Sequence, residues 1–132
     1  MANIGIKSAT DIENFFSSYN NHNWSEVFNY MADDCTWGAS EKVLHGKDEI
    51  VNYWTNDHKA FKETLGKPTN IVFSDDTVYL QVKIHLEFIE DGVFFNQAYK
   101  KGMTLDFTCV DCYQLNSFNK ISSGDVFIKF SK

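Results

Sequence analysis

The sequence predicts an α+β fold in which three amino-terminal helices precede a meander of antiparallel strands. Apolar residues recur at helical spacing up to Leu65 and then, from Asn70 onward, alternate with period two. Length supplies the third observation. A chain of 132 residues that is 43% hydrophobic and 16% aromatic can build one core and is too short for two ordinary domains, so residues 1–132 read as a single domain.

Each element has its own signal. In "TDIENFFSSYNN", Thr10 and Glu13 stand at capping-box spacing, and Ile12, Phe15, Phe16 and Tyr19 form one face of a first helix. After the Asn20–Asn23 punctuation, Asn23 and Glu26 repeat the cap, and Trp24, Val27, Phe28 and Met31 stripe a second helix that "ADD" at 32–34 ends. "CTWGAS" and "EKVLHG" read as short extended segments around a turn. "KDEIVNYWTNDHKAFKETLG" returns to helical period through Ile50, Tyr53, Trp54, His58 and Phe61, with Gly66 and Pro68 closing a third helix.

"NIVFS", a turn at "SDDT", and "VYLQVKIHLEFI" follow, the last with Val78, Leu80, Val82, Ile84, Leu86 and Phe88 on one face. "EDGVFFNQAYKK" is long for a link between strands and is expected to hold a short helix or a lid. "GMTLDFTCVDCYQL" and "ISSGDVFIKF" are the remaining strands.

Charge excludes several function classes. The formal net charge is −6, and the 12 cationic residues are all lysine and scattered, which disfavours a nucleic-acid phosphate backbone as partner. Without arginine there is no planar fork to clamp carboxylates or phosphates. No apolar run is long enough to span a bilayer, and no basic start with an apolar stretch behind it opens the chain, so a soluble, cytoplasmic protein without membrane contact is expected. Three cysteines cannot all pair within the chain, which suits free thiols in a reducing compartment.

The stretch "CVDCY" raises the question of a C-x-x-C redox or metal pair. The flanking pattern is strand, and residues three apart on a strand face opposite sides, so Cys109 and Cys112 share neither a disulfide nor a metal ion without a bulge. Cys35 is isolated and the four histidines lack ligand spacing, so neither metal nor organic cofactor is expected. The same parity puts Asp111 on the apolar face with Leu105, Phe107, Cys109 and Tyr113. A carboxylate directed inward is costly unless hydrogen-bonded, and desolvation raises its pKa into the range of acid/base work. The alternative is an Asp111 that meets a tyrosine or the backbone and organises the sheet.

Three segments carry a resemblance. "NNHNWSEVFNYMADDCTW", "HGKDEIVNYW" and "VDCYQLNSFNKI" resemble, in that order, the second helix and following strand, the third-helix start and the strand-turn-strand ending of the SnoaL-like and steroid-isomerase-like branch of the nuclear transport factor 2-like superfamily. The resemblance covers nearly the whole chain. It implies a cone-shaped fold whose helices and curved, mainly antiparallel sheet enclose a pocket.

It also implies that Asp111 falls where steroid isomerases carry an oxyanion-hole acid and SnoaL-like polyketide cyclases an acid/base aspartate. Two steroid-isomerase positions are replaced, the helix tyrosine by Phe15 and the general-base aspartate by Ala39. The Asp-Arg-Asp arrangement of related epoxide hydrolases cannot be built without arginine. His58 could stand in for a histidine of scytalone-dehydratase-like enzymes.

The expected function is therefore that of a cofactor-independent isomerase, cyclase or dehydratase acting on an apolar, cyclic or polyketide-like molecule. Asp111 and His58 are the candidate catalytic groups, and Phe15, Tyr19, Trp37, Trp54, Phe61, Phe107 and Tyr113 the candidate substrate contacts. The alternative is a binding or interaction domain of the same fold. Tyr79, Lys83, His85 and Glu87 beside Thr104, Asp106 and Thr108 form an outer sheet face expected to pair with a second copy.

Overall fold

A computed structural model describes residues 4–39 and 42–129. The turn expected at Ser40 and Glu41, and Phe130 at the end of the last strand, lie outside them.

Helix α1 spans Ala9–Asn20 and buries Ile12, Phe15, Phe16 and Tyr19, the expected face. Its cap lies two residues earlier than Thr10. Ser8 is the N-cap, and the Asp11 carboxylate accepts from the Lys7 N–H at 2.8 Å and the Ser8 hydroxyl at 3.3 Å. Helix α2 spans Trp24–Asn29, and its Asn23 side chain accepts from the Glu26 N–H as the spacing predicts.

Met31 does not continue α2. It opens strand β1, Met31–Ala39, because its backbone pairs in parallel with Ile121 and draws "ADD" into the sheet. Strand β2, Lys42–His45, pairs antiparallel with β1.

The long third helix is the main correction. Helix α3 covers only Lys47–Asn52, and a π turn at Tyr53–Asp57 ends the helical path. Phe61–Leu65 is strand β3, paired antiparallel with Ile84–Phe88 of β5. The free edge of a long, apolar β5 takes this segment, whose Phe61, Glu63 and Leu65 turn inward at period two while Lys62 and Thr64 face out. Gly66 and Pro68 therefore close no helix. They break the edge between β3 and β4, Thr69–Ser74, which pairs with the other half of β5.

Strand β5, Thr77–Phe88, is buried at every second residue as expected. Residues 89–103 contain no helix but the hairpin β6–β7, Gly92–Phe94 with Gln97–Tyr99. Phe95 and Asn96 at its tip have φ of 52° and 62°, the left-handed pair that a two-residue hairpin turn requires. Strands β8, Thr104–Leu115, and β9, Ile121–Lys129, complete the sheet in the order β2-β1-β9-β8-β5-β3, antiparallel except for β1 with β9. The fold is α+β with a curled sheet, and strands β1 and β2 precede α3, where "CTWGAS" and "EKVLHG" read as extended segments.

Strand parity at "CVDCY" holds. Cys109 and Asp111 are buried, Cys112 is half-exposed on the other face, and all three cysteines are free thiols.

Candidate functional site

The concave face of the sheet and the helices enclose a cavity of about 90 Å³. Strand β8 contributes Phe107, Cys109, Asp111 and Tyr113 at period two. Helix α1 contributes Phe15 and Tyr19, one helical turn apart. Trp37 enters from β1 and Trp54 from the π turn, and their rings meet edge to face with centroids 5.3 Å apart. Trp37 lies in the space above Gly124, its parallel partner on β9, where a Cβ would stand 2.4 Å from the indole. Phe94 and Phe95 of the hairpin close another side.

Of the residues expected to contact a substrate, Phe15, Tyr19, Trp37, Trp54, Phe107 and Tyr113 line this cavity. Phe61 does not. It is buried behind the wall, with its ring 4.9 Å from that of His58 and 5.6 Å from that of Phe94. His58 reaches the cavity from beyond the π turn, not from a helix face.

Asp111 is 6% exposed. Its Oδ2 accepts the Tyr113 hydroxyl at 2.7 Å, while Oδ1 is buried and has no hydrogen-bond partner among the described residues. Burial pushes its pKa up to about 7, the Tyr113 hydrogen bond pulls the other way, and the Glu63 charge adds to the rise. Burial and the neighbouring Asp111 charge also raise the Tyr113 phenol well above its ordinary value, so Tyr113 stays a donor.

Glu63 is the site residue the sequence reading missed. Tyr19 donates its hydroxyl to Glu63 Oε1, and His58 Nδ1 stands 3.7 Å from the same oxygen. The other oxygen, Oε2, accepts no hydrogen bond among the described residues. As a helical residue Glu63 falls on the polar side. Its inward direction was legible only in the alternation of Phe61, Glu63 and Leu65.

A second clasp holds β3 in place. The Asn20 side-chain amide donates to the Leu65 carbonyl and accepts from the Leu65 N–H, each at 2.9 Å, so the end of α1 pairs with the sheet's edge as a strand would. Tyr19 and Glu63 are thereby fixed next to one another.

Among the described residues, neither lysine nor any other permanent cation lines the cavity. Among the described residues, no group of three or more His, Cys, Asp or Glu is placed to hold a metal ion, and no helix is long and apolar enough to cross a membrane.

The sequence profile of the SnoaL-like domain matches residues 12–123, which run from the first buried residue of α1 into β9. The chain belongs to the SnoaL-like domain family. Among solved structures, this SnoaL-like chain is similar to a SnoaL-like polyketide cyclase from Agrobacterium tumefaciens, with 12% identity, coverage of 94% of this chain and 93% of that one, and a TM-score of 0.75. It is similar also to a nuclear transport factor 2-like protein of unknown function from Burkholderia pseudomallei, with 10% identity, coverage of 94% and 92%, and a TM-score of 0.74. A third is TerC co-crystallised with polyporic acid, with 12% identity, coverage of 89% and 88%, and a TM-score of 0.73. At these identities the likeness is one of fold. Among curated proteins, none matches the SnoaL-like chain at the sequence level.

Proposed function

We propose that this chain is a small-molecule acid/base enzyme of the isomerase, cyclase or dehydratase type, acting on an apolar, cyclic or polyketide-like compound through Asp111. The observation that supports this most is the unpartnered Oδ1 of a buried carboxyl within an aromatic cavity. A carboxyl with a pKa of about 7 can donate a proton to a developing oxyanion or, once ionised, remove one from carbon at neutral pH. The polyketide cyclase among the similar folds, and the small organic acid in the TerC crystal, are in keeping with it.

The aromatic side chains of Phe15, Trp37, Trp54 and Phe107 hold the apolar body of the ligand, and His58 and Tyr113 set the polar groups around it. The cavity of about 90 Å³ is smaller than the roughly 150 Å³ that takes a benzene ring. A multi-ring substrate therefore enters by displacing Phe94 and Phe95 on their hairpin.

The test is a screen of cyclic and polyketide-like ketones by mass spectrometry, comparing wild type with Asp111→Asn. Loss of a conversion in the variant is expected. Turnover that survives the substitution removes Asp111 from the mechanism.

A specific surface favours self-association as well. Val72 and Tyr79 are paired across β4 and β5, and Val110 and Phe127 across β8 and β9. All four are exposed on the convex face, the last by 61%. Two copies joined there leave both cavities open on the other side of the sheet. Sedimentation of Phe127→Lys as a monomer, against a wild-type dimer, is the expected result. The three free thiols agree with a cytoplasmic setting.

A further inference from the structure

Glu63 is a second carboxylate in the Asp111 cavity, and its surroundings differ from those of Asp111 in a way that suits a different task. One oxygen is held by the Tyr19 hydroxyl, with His58 beside it, while the other accepts no hydrogen bond among the described residues. Burial together with the Glu63 charge holds the Tyr19 phenol well above its ordinary pKa, so Tyr19 stays the donor to Glu63 Oε1. At Asp111 burial and the Glu63 charge both favour the neutral acid. Two carboxyl groups line one cavity, Asp111 bound by a tyrosine of its own strand and Glu63 by a tyrosine from α1, and are placed to serve as an acid and a base.

We propose that Glu63 is the general base of this site, removing a proton from the carbon next to the carbonyl of a neutral, apolar ketone while Asp111 protonates the carbonyl oxygen. This rests on the acid/base reading of Asp111 and narrows its substrate class. The C–H bond breaks towards Glu63 Oε2, its electron pair becomes the C=C bond, the carbonyl π pair moves to oxygen, and that oxygen takes the Asp111 proton. The product is the enol, with Glu63 neutral and Asp111 ionised. Return of the protons, to the same carbon or to another, restores both groups without any oxidant or further reactant. An anionic ligand is disfavoured, because two carboxyl groups and, among the described residues, no lysine line the cavity.

Tyr19 and His58 act as positioning residues. Tyr19 fixes Oε1 by its hydrogen bond and His58 packs beside it, which leaves Oε2 as the reactive atom, and the Asn20 clasp at Leu65 keeps β3 from moving away.

The probes are cyclohexanone, phenylacetone and 2-tetralone, incubated with the full chain in deuterated water while proton NMR follows loss of the α-hydrogen signals. Wild type is expected to exchange these hydrogens faster than buffer. Glu63→Gln, which keeps an acceptor for Tyr19, is expected to slow exchange about 100-fold or more, with partial recovery in Glu63→Asp. Quenching of Trp37 and Trp54 fluorescence by the ketones should persist in both variants and show that the cavity is intact.

Exchange in Glu63→Gln within about threefold of wild type, with Asp111→Asn inactive, overturns the role of Glu63 and leaves Asp111 standing. Loss in Glu63→Gln with full activity in Asp111→Asn overturns the reading of Asp111 instead, and with it the pair. No exchange by wild type above buffer overturns the pair whether or not the ketones quench.

Discussion

Tyr113 donates its hydroxyl to Asp111 Oδ2 at 2.7 Å from two residues along the same face of β8. Strand parity makes the pair, since residues i and i+2 point the same way. The bond satisfies one carboxyl oxygen and leaves the other, Oδ1, buried without a hydrogen-bond partner among the described residues.

The burial of Asp111 has a consequence for stability. Its carboxyl titrates near 7 in the folded chain and near 3.8 when exposed. Below the lower value both states hold the proton, and as pH rises the unfolded chain releases it first. Stability contributed by the neutral acid is thus fully present at low pH and is lost up to about pH 7. The loss is at most about 4 kcal/mol. Asp111→Asn cannot titrate, so it should lack this component and be the more stable protein at pH 8. Urea unfolding of both chains at pH 4 and pH 8 measures it. Parallel changes in the two would show that Asp111 is solvated.

Tyr113→Phe removes the hydrogen bond that holds the Asp111 pKa down, leaving burial and the Glu63 charge unopposed. The carboxyl should then titrate above its wild-type value of about 7. Carbon-detected NMR of the side-chain carboxyl, followed from pH 5 to 9 in steps of about one unit, gives the shift directly. A fall in the pKa would contradict the assigned donor. The buried carboxyl left without a partner should also cost about 1–3 kcal/mol of stability.

How far the site could be read from residues depended on the element that carried them. Clean alternation through β5 and β8 placed Asp111, Phe107 and Tyr113 on the inner face, and helical spacing did the same for Phe15 and Tyr19. The segment from Tyr53 to Leu65 was misread because its apolar residues fit a helical stripe locally, while the pairing that overrides it lies about twenty residues further on in β5. That one misassignment hid Glu63 and put Phe61 at the cavity, where it does not stand. Met31 was lost to the same cause, since a parallel partner on β9 leaves no local signal. The cap at Ser8 was displaced because Ser8 and Asp11 offer the same spacing as Thr10 and Glu13.

The depth of the cavity beside Trp37 depends on Gly124. A Cβ there would lie 2.4 and 2.5 Å from two indole carbons, closer than van der Waals contact allows. Trp37 is boxed in by Trp54 and Tyr113, so it cannot move aside freely. Gly124→Ala should therefore push the indole into the cavity and destabilise the chain by about 1–3 kcal/mol. Thermal unfolding reads the stability, and ketone quenching of tryptophan fluorescence reads the lost space. A variant with wild-type stability and quenching would mean that the indole has room elsewhere.

The Asn20 clasp predicts local loosening rather than global loss. Asn20→Ala removes a donor and an acceptor from the backbone of Leu65, on the outer edge of β3, while the pairing of β3 with β5 remains. A buried backbone group deprived of its partner costs about 1–3 kcal/mol, and here that cost falls on an edge strand able to open by itself. The Leu65 amide, which bonds to Asn20 in wild type, should exchange with deuterated water at least tenfold faster in the variant, whereas amides of β8 keep their protection. Because Tyr19 precedes Asn20 and Glu63 lies two residues before Leu65, the Tyr19 to Glu63 hydrogen bond should weaken with it, and ketone exchange should slow although no group at the reacting atoms has changed. Unaltered exchange at Leu65 would mean that β5 alone holds the edge and that the clasp does not position Glu63.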